Sequence, residues 1–394
     1  MRRQPYLIPI LILALAGCAS QPGDRSASAD SDSDKKKHTP AEEAKVGELP
    51  VGAIPTGVVH DAQRNRDVEV VIEYPTRGGP YPVIIFSHGY GSSKNGYTAL
   101  TEYWTSHGFV CIKPSHADAG KLADTMRDLL EDRREERRSG RRREQPQQPP
   151  QPPPPPQMET IWDKLTVDDY RNRVRDVTAI LDNLGALEQQ YPELKGKMDT
   201  KRVGVGGHSY GAFTALMAAG MKVTKDGTTL RLGDPRVTAV VAMSPQGVSP
   251  LRGLAADSWS EVRVPVLYMT GTRDNGATEA EDYNWRRQAY DNSPAGDKWL
   301  IILEGATHMS FTGGITYDPG DLRRRPNQMP VDPRYGGDPR VGTPSVAPGG
   351  GRRFFATIQI ATNRFWEAYL NNDAKGKDTL TGMASPPAII VEKK

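Results

Sequence analysis

Gly207-His208-Ser209-Tyr210-Gly211 places a serine at the centre of a G-x-S-x-G pentapeptide. The residues around it give the motif its meaning. Val203-Gly204-Val205 reads as a short strand leading in, and Ala212 to Ala219 starts an Ala-rich helix leading out. A turn this tight forces the serine into a strained backbone conformation. Glycines two before and two after it leave room for strand and helix to close up. Ser209 is therefore expected as a nucleophile, exposed at the carboxyl end of a sheet and at the N-terminus of a helix. A Gly-rich turn with an incidental serine would need neither flanking element.

A serine hydroxyl is a poor nucleophile unless a base takes its proton, and the base needs a third group to orient it. The chain has seven histidines. His38 lies in a polar stretch near the N-terminus, His60 in the first hairpin and His107 at the end of a surface helix. His116 follows a strand at the right edge of the sheet but has no matching partner pattern. His88 and His208 sit in tight Gly-containing turns, which they are expected to shape. His308 remains. It follows the last strand, in Glu304-Gly305-Ala306-Thr307-His308, and so stands last in the chain order Ser, Asp, His. Between them, a strand from Val264 to Met269 runs into Thr270-Gly271-Thr272-Arg273-Asp274. Asp274 would hold the tautomer of His308 and stabilise its imidazolium form. Asp282 is the alternative acid, expected inside the following helix.

Acyl transfer through such a triad needs two preorganised N–H donors for the oxyanion. One is expected from Tyr210, the residue after the nucleophile. The other is expected from the loop Ser87-His88-Gly89-Tyr90-Gly91, with Tyr90 N–H as the donor and Gly91 as the alternative.

The elements that would carry these residues alternate. Val58-Val59 and Val68 to Tyr74 read as an antiparallel pair turned at Gln63-Arg64-Asn65. Further strands are expected at Val83 to Phe86, Phe109 to Ile112, Val203 to Val205, Val237 to Met243, Val264 to Met269 and Trp299 to Leu303. Helices are expected over 97–107, 167–187, from 212, over about 280–290, and from Phe354 to Leu370. Continuous apolar strands between amphipathic helices argue for one mostly parallel sheet covered on both faces. Cys111 falls in a strand and reads as a small buried hydrophobe.

Outside this pattern lie three irregular stretches. Arg2 and Arg3 precede an apolar run from Tyr6 to Ala16 that is too short for a comfortable membrane span. The run closes with Leu15-Ala16-Gly17-Cys18, and residues 19–49 form a Ser-, Asp-, Lys- and Ala-rich tether. Arg127 to Glu144 holds eight Arg and six Asp or Glu, and Gln145 to Gln157 carries eight of the 33 prolines. The 127–157 segment reads as a solvated, disordered insertion in a tolerant loop. Residues 312–353 are rich in Gly, Pro, Asp and Arg. Over the whole chain, 51 Lys and Arg against 48 Asp and Glu leave +3, so net charge does not imply a nucleic-acid partner. Two cysteines cannot build a disulfide framework or a cysteine-rich metal site.

Two resemblances follow. Leu15 to Cys18 resembles the lipobox of bacterial lipoproteins, which implies a lipidated Cys18 as mature N-terminus. Ala19 is not the Asp that resembles an inner-membrane retention signal, which points to outer-membrane placement where the host has one. The rest resembles the α/β-hydrolases, and among them the group of platelet-activating-factor acetylhydrolase, dienelactone hydrolase-like and polyester hydrolase-like enzymes. Four features match in order: His60-Asp61, Arg64 and Arg66 before Tyr74-Pro75; Ser87-His88-Gly89; Gly207 to Gly211; and Asp274 before His308. They cover most of residues 55–370. The 19 residues of 244–262 are too few for a full cap domain, and Ser244-Pro245-Gln246-Gly247 lacks the aromatic of polyester hydrolases.

The resemblance implies an α/β-hydrolase fold with an eight-stranded, mostly parallel sheet, helices on both faces and no large cap. Residues 1–17 would be a signal peptide, 18–49 a tether and 50–394 the hydrolase domain. The expected protein is a monomeric serine esterase acting on short-acyl carboxylic esters, lipid-anchored in a bacterial cell envelope, periplasmic or on the outer surface. It needs neither metal nor organic cofactor, and its partners are the ester and, through the lipid, the membrane. The rivals are a lipase or peptidase of the same fold, and a non-catalytic surface interaction protein.

Overall fold

The computed structural model describes residues 44–120, 162, 164–276, 280–313, 350–383 and 388–394. The expected signal peptide, the expected tether up to residue 43, the expected 127–157 insertion and the 314–349 part of the third irregular stretch lie outside the described residues.

The chain enters through β1 (Val51–Asp61) and β2 (Arg66–Pro75), an antiparallel pair whose turn holds Asn65 at φ 45°. Then follow β3 (Tyr81–Ser87), α1 (Thr98–Ser106), β4 (Val110–Pro114), α2 (Val167–Gln190), β5 (Met198–His208) and α3 (Tyr210–Ala218). A small separate hairpin, β6 (Val223–Lys225) and β7 (Thr228–Leu230), precedes β8 (Val237–Met243), β9 (Val266–Arg273), α4 (Tyr283–Asp291) and β10 (Lys298–Thr307). The described chain closes with α5 (Gly350–Leu370), α6 (Ala374–Gly382) and β11 (Ala388–Lys393).

The main sheet runs β1-β2-β4-β3-β5-β8-β9-β10-β11. Strands β4 through β10 of that order are parallel neighbours, and antiparallel strands flank them at both ends. The sheet therefore has nine strands where the sequence suggests eight. The additional one is β11, which pairs antiparallel with β10 from Trp299↔Lys393 to Leu303↔Ala388. Six residues long and at the edge, β11 owes its extended form to a partner about ninety positions upstream, which local periodicity does not reveal.

The unbroken apolar run of β3 is explained by burial on both faces. Val83 and Ile85 join the layer of α2 and α3, while Ile84 and Phe86 join the layer of α1 and α5. Helix α2 starts cleanly because Thr166 and Asp169 form a reciprocal capping box. Among the described residues no cap domain rises over the sheet. The longest helical piece between β8 and β9 is the three-residue turn Pro250–Arg252.

Strand register decides which loops meet. Ser87 pairs with Gly207, so His88-Gly89-Tyr90 and His208-Ser209-Tyr210 leave the sheet side by side. Thr307 pairs with Arg273, so the next residues, His308 and Asp274, also leave it as neighbours.

Candidate active site

Ser209 links β5 to α3 with φ 56° and ψ −117°, a conformation that L-residues rarely adopt. Its N–H donates to the Met243 carbonyl at 2.9 Å, which ties the turn to β8. The flanking glycines are required by space. A Cβ on Gly207 would lie 2.2 Å from the Gly211 carbonyl carbon, and one on Gly211 would lie 1.9 Å from the Ser87 oxygen. Ser209 is only 9% exposed, less than its sequence setting suggests. The register explains this, since the loop after β3 runs alongside the elbow and the His308 turn packs on its neighbour His208.

Asp274 is fully buried, and its Oδ1 lies 2.9 Å from His308 Nδ1. Its Oδ2 accepts hydrogen bonds from Ser244 Oγ and, at 3.0 Å, from Thr270 Oγ1. Arg286, on α4, approaches Asp274 Oδ1 with Nε at 2.9 Å and donates the same Nε to the Asp274 carbonyl at 2.8 Å. Burial pushes the Asp274 carboxyl up. The Arg286 guanidinium and the hydrogen bonds from His308 and Ser244 outweigh it and hold the group well below the usual carboxylate range. Arg286 Nη2 also stands 3.2 Å from His308 Nδ1. A guanidinium has no acceptor, so with Nδ1–H directed at Asp274 this contact is electrostatic. That tautomer leaves Nε2 free to accept a proton.

The structure therefore brings Asp274 and His308 together and sets them beside the elbow through the ring of His208, 4.6 Å from that of His308. Among the described residues Ser209 Oγ makes no hydrogen bond to His308. Such contacts commonly tighten only when substrate is bound.

On the other flank, Tyr90 and Tyr210 follow the paired Ser87 and Gly207, and their rings lie 6.4 Å apart. Neither of their N–H groups meets a protein acceptor among the described residues. Gly91, the alternative donor, is excluded because its N–H donates to Asp118 Oδ2 at 2.9 Å.

Two further readings change. Asp282 is the N-cap of α4 rather than a residue inside it, accepting from Asn284 and Trp285 N–H at 2.9 and 3.0 Å. His116 has partners after all: Nε2 lies 2.8 Å from Ser87 Oγ, and Nδ1 lies 2.9 Å from Asp176 Oδ2. This second Ser, His and Asp set is wholly buried, so it supports the loop and cannot meet a substrate. Arg286, Arg173 and Asp118 were not singled out by sequence reasoning. Arg173 and Asp176 did leave a signal, because they are charged residues on the face of α2 that carries Tyr170, Val174 and Val177. Among the described residues no group of three or more His, Cys, Asp or Glu side chains could hold a metal ion.

The family model for platelet-activating factor acetylhydrolase, isoform II, matches residues 59–313, well over half of the chain. Chlorophyllase-1 of Arabidopsis thaliana is 32% identical over 70 residues, 18% of this chain and 22% of that protein. A protein of Schizosaccharomyces pombe named "Putative phospholipase A2" is 39% identical over 57 residues, 14% of this chain and 13% of that protein. The chain thus matches less than a quarter of the length of either relative.

Proposed function

The chain belongs to the platelet-activating factor acetylhydrolase, isoform II, family, and from that premise we propose that it is a serine hydrolase cleaving carboxylic esters. The observation that carries this reading is the Asp274–His308 contact of 2.9 Å beside a serine held at φ 56°. In the proposed reaction Ser209 Oγ attacks the ester carbonyl carbon and His308 Nε2 takes its proton. The carbonyl oxygen gains negative charge and is received by the N–H groups of Tyr90 and Tyr210. His308 then gives the proton to the leaving alcohol, and the acyl group stays on Ser209. Water, deprotonated by the same histidine, releases the acid and restores the serine. Asp274, kept ionised by Arg286, stabilises the imidazolium at each proton transfer.

We further propose a preference for short acyl groups. The 244–262 stretch brings no cap that would bury a long chain, and each methylene left unburied forgoes about 0.8 kcal/mol. The proposed site of action is a bacterial cell envelope, with the domain held as a monomer on a lipid at Cys18 and a tether beyond it. This rests on Leu15-Ala16-Gly17-Cys18 and the polar residues that follow.

The test is turnover of an ester panel from acetyl to dodecanoyl, with Ser209→Ala as control and fluorophosphonate labelling of Ser209. Turnover should peak between acetyl and butyryl. Labelling that survives Ser209→Ala would refute the nucleophile, and best turnover on ten-carbon or longer esters would refute the acyl preference. For the anchor, mass spectrometry of the mature N-terminus should find a lipid on Cys18, and cleavage elsewhere would refute it.

A further inference from the structure

Arg173 lies in the second turn of α2 and is 3% exposed. Its guanidinium forms a two-pronged pair with Asp118, Nε to Oδ1 at 2.9 Å and Nη2 to Oδ2 at 2.7 Å. Nη1 donates to the His88 carbonyl at 2.7 Å, and Nη2 lies 3.5 Å from the Gly89 carbonyl. Asp118 Oδ2 in turn accepts the Gly91 N–H. One ion pair thus grips the backbone on both sides of Tyr90. The guanidinium carbon also sits 4.0 Å from the centroid of the Tyr210 ring.

We propose that Arg173 is the positioning residue of the oxyanion hole, setting the Tyr90 and Tyr210 N–H groups relative to each other. This rests on the reading of those two groups as donors. Oxyanion donors act because they are aimed before charge develops, and a displacement of about 1 Å can cost about 10²-fold in rate. A short loop with two glycines cannot supply that rigidity alone. A buried ion pair is also a poor device for stability, because apolar residues of similar size commonly do as well or better. Its placement, with the backbone gripped on both sides of Tyr90 and the ring of Tyr210 under the guanidinium face, accounts for a charge kept there. Ser87 Oγ lies 2.8 Å from His116 Nε2, and Arg173 Nη1 comes within 3.4 Å of the same hydroxyl.

The experiment compares full-length wild type, Arg173→Lys and Asp118→Asn on a matched pair of substrates. One is an oxoester, and the other is its thionoester with sulfur in place of the carbonyl oxygen. Sulfur accepts hydrogen bonds poorly, so aimed donors favour the oxoester. Lysine keeps the charge but loses the fork. Its kcat on the oxoester should fall by about 10²-fold with KM within about twofold. The loss on the thionoester should be much smaller, so the preference collapses. Asp118→Asn keeps an acceptor for Gly91 N–H while removing the counter-charge, and should show the same collapse. It carries the test if Arg173→Lys does not fold, as judged by near-ultraviolet circular dichroism. Equal losses on both substrates, or an unchanged preference, would overturn the proposal while leaving the esterase reading intact. A wild-type chain that hydrolyses neither ester would overturn both.

Discussion

His208 Nε2 donates to the carbonyl oxygen of His308 at 2.9 Å. The acceptor fixes the direction of that bond. The His308 carbonyl can only accept, so the ring proton is on Nε2, and Tyr97 Oη, which accepts the Gly89 N–H at 3.3 Å, gives its own hydrogen to His208 Nδ1 at 2.8 Å. Burial, with the adjacent His308 next in effect, holds the His208 imidazole well below its usual pKa and keeps it neutral. The residue before Ser209 thereby joins the turn that bears His308 to the loop that bears Tyr90.

Removing Tyr97 Oη leaves both the Gly89 N–H and His208 Nδ1 buried without a partner. Tyr97→Phe should therefore cost about 1–3 kcal/mol in urea denaturation. An unchanged midpoint would show that the two hydrogen bonds of this hydroxyl contribute nothing to stability.

Ser209→Ala and His308→Ala should each lower kcat by about 10⁴-fold or more, and the double variant should be little worse than either. Additive losses, measured from initial rates on one ester, would mean that the two residues do not act as a unit.

Arg286→Met should be among the most damaging substitutions in the domain. It leaves the Asp274 carboxylate buried without its cation, and removal of one partner of a buried pair costs about 3–5 kcal/mol. Removing both charges with Arg286→Met and Asp274→Asn should recover part of that loss without recovering activity. Thermal melts of the single and double variants check the expected order.

His88, His116 and His208 all have their pKa lowered in the folded chain, chiefly by burial. A histidine of this kind takes up its proton more readily when unfolded. Its contribution to stability is present above about pH 6.5 and is lost as pH falls below it, at up to about 1.4 kcal/mol per unit for each residue. Asp274, also lowered, adds a similar loss only below about pH 4. Melting temperature should thus drop steadily from pH 7 to pH 5. A flat profile across that interval would show that these imidazoles titrate alike in both states.

The elbow was legible because its demands are local: a strand, two glycines at fixed spacing and a small-residue helix fit one geometry. Asp274 and His308 were legible for a related reason, since each stands just beyond a continuous apolar run that can only be a buried strand. Arg173 could be seen as a charge on an apolar face, but its partner Asp118 lies 55 positions away, on a loop of no distinctive pattern. Arg286 lies on a polar helix where one more arginine is unremarkable by sequence. Asp282 stands directly before Tyr283-Asn284-Trp285, and its carboxylate ends the helix that the sequence pattern extends back to about 280. The burial of Ser209 depends on the loop after β3 and the His308 turn, both about 100 or more positions away, which no local pattern records.

Asp176 holds Arg64 at 2.7 Å and Arg66 at 3.6 Å in the first hairpin while it also holds His116. The scaffolding of the reactive groups thus reaches from the opening turn of the domain to His308. Contacts of such long sequence separation form late and slowly. Under the proposed mechanism a nascent chain would remain catalytically silent until β10 and His308 had left the ribosome, and a fragment that lacks them should not hydrolyse an ester. In refolding from urea, turnover should return with the slowest phase, after intrinsic fluorescence has begun to recover. Activity then becomes a readout of the completed tertiary structure rather than of any one subregion.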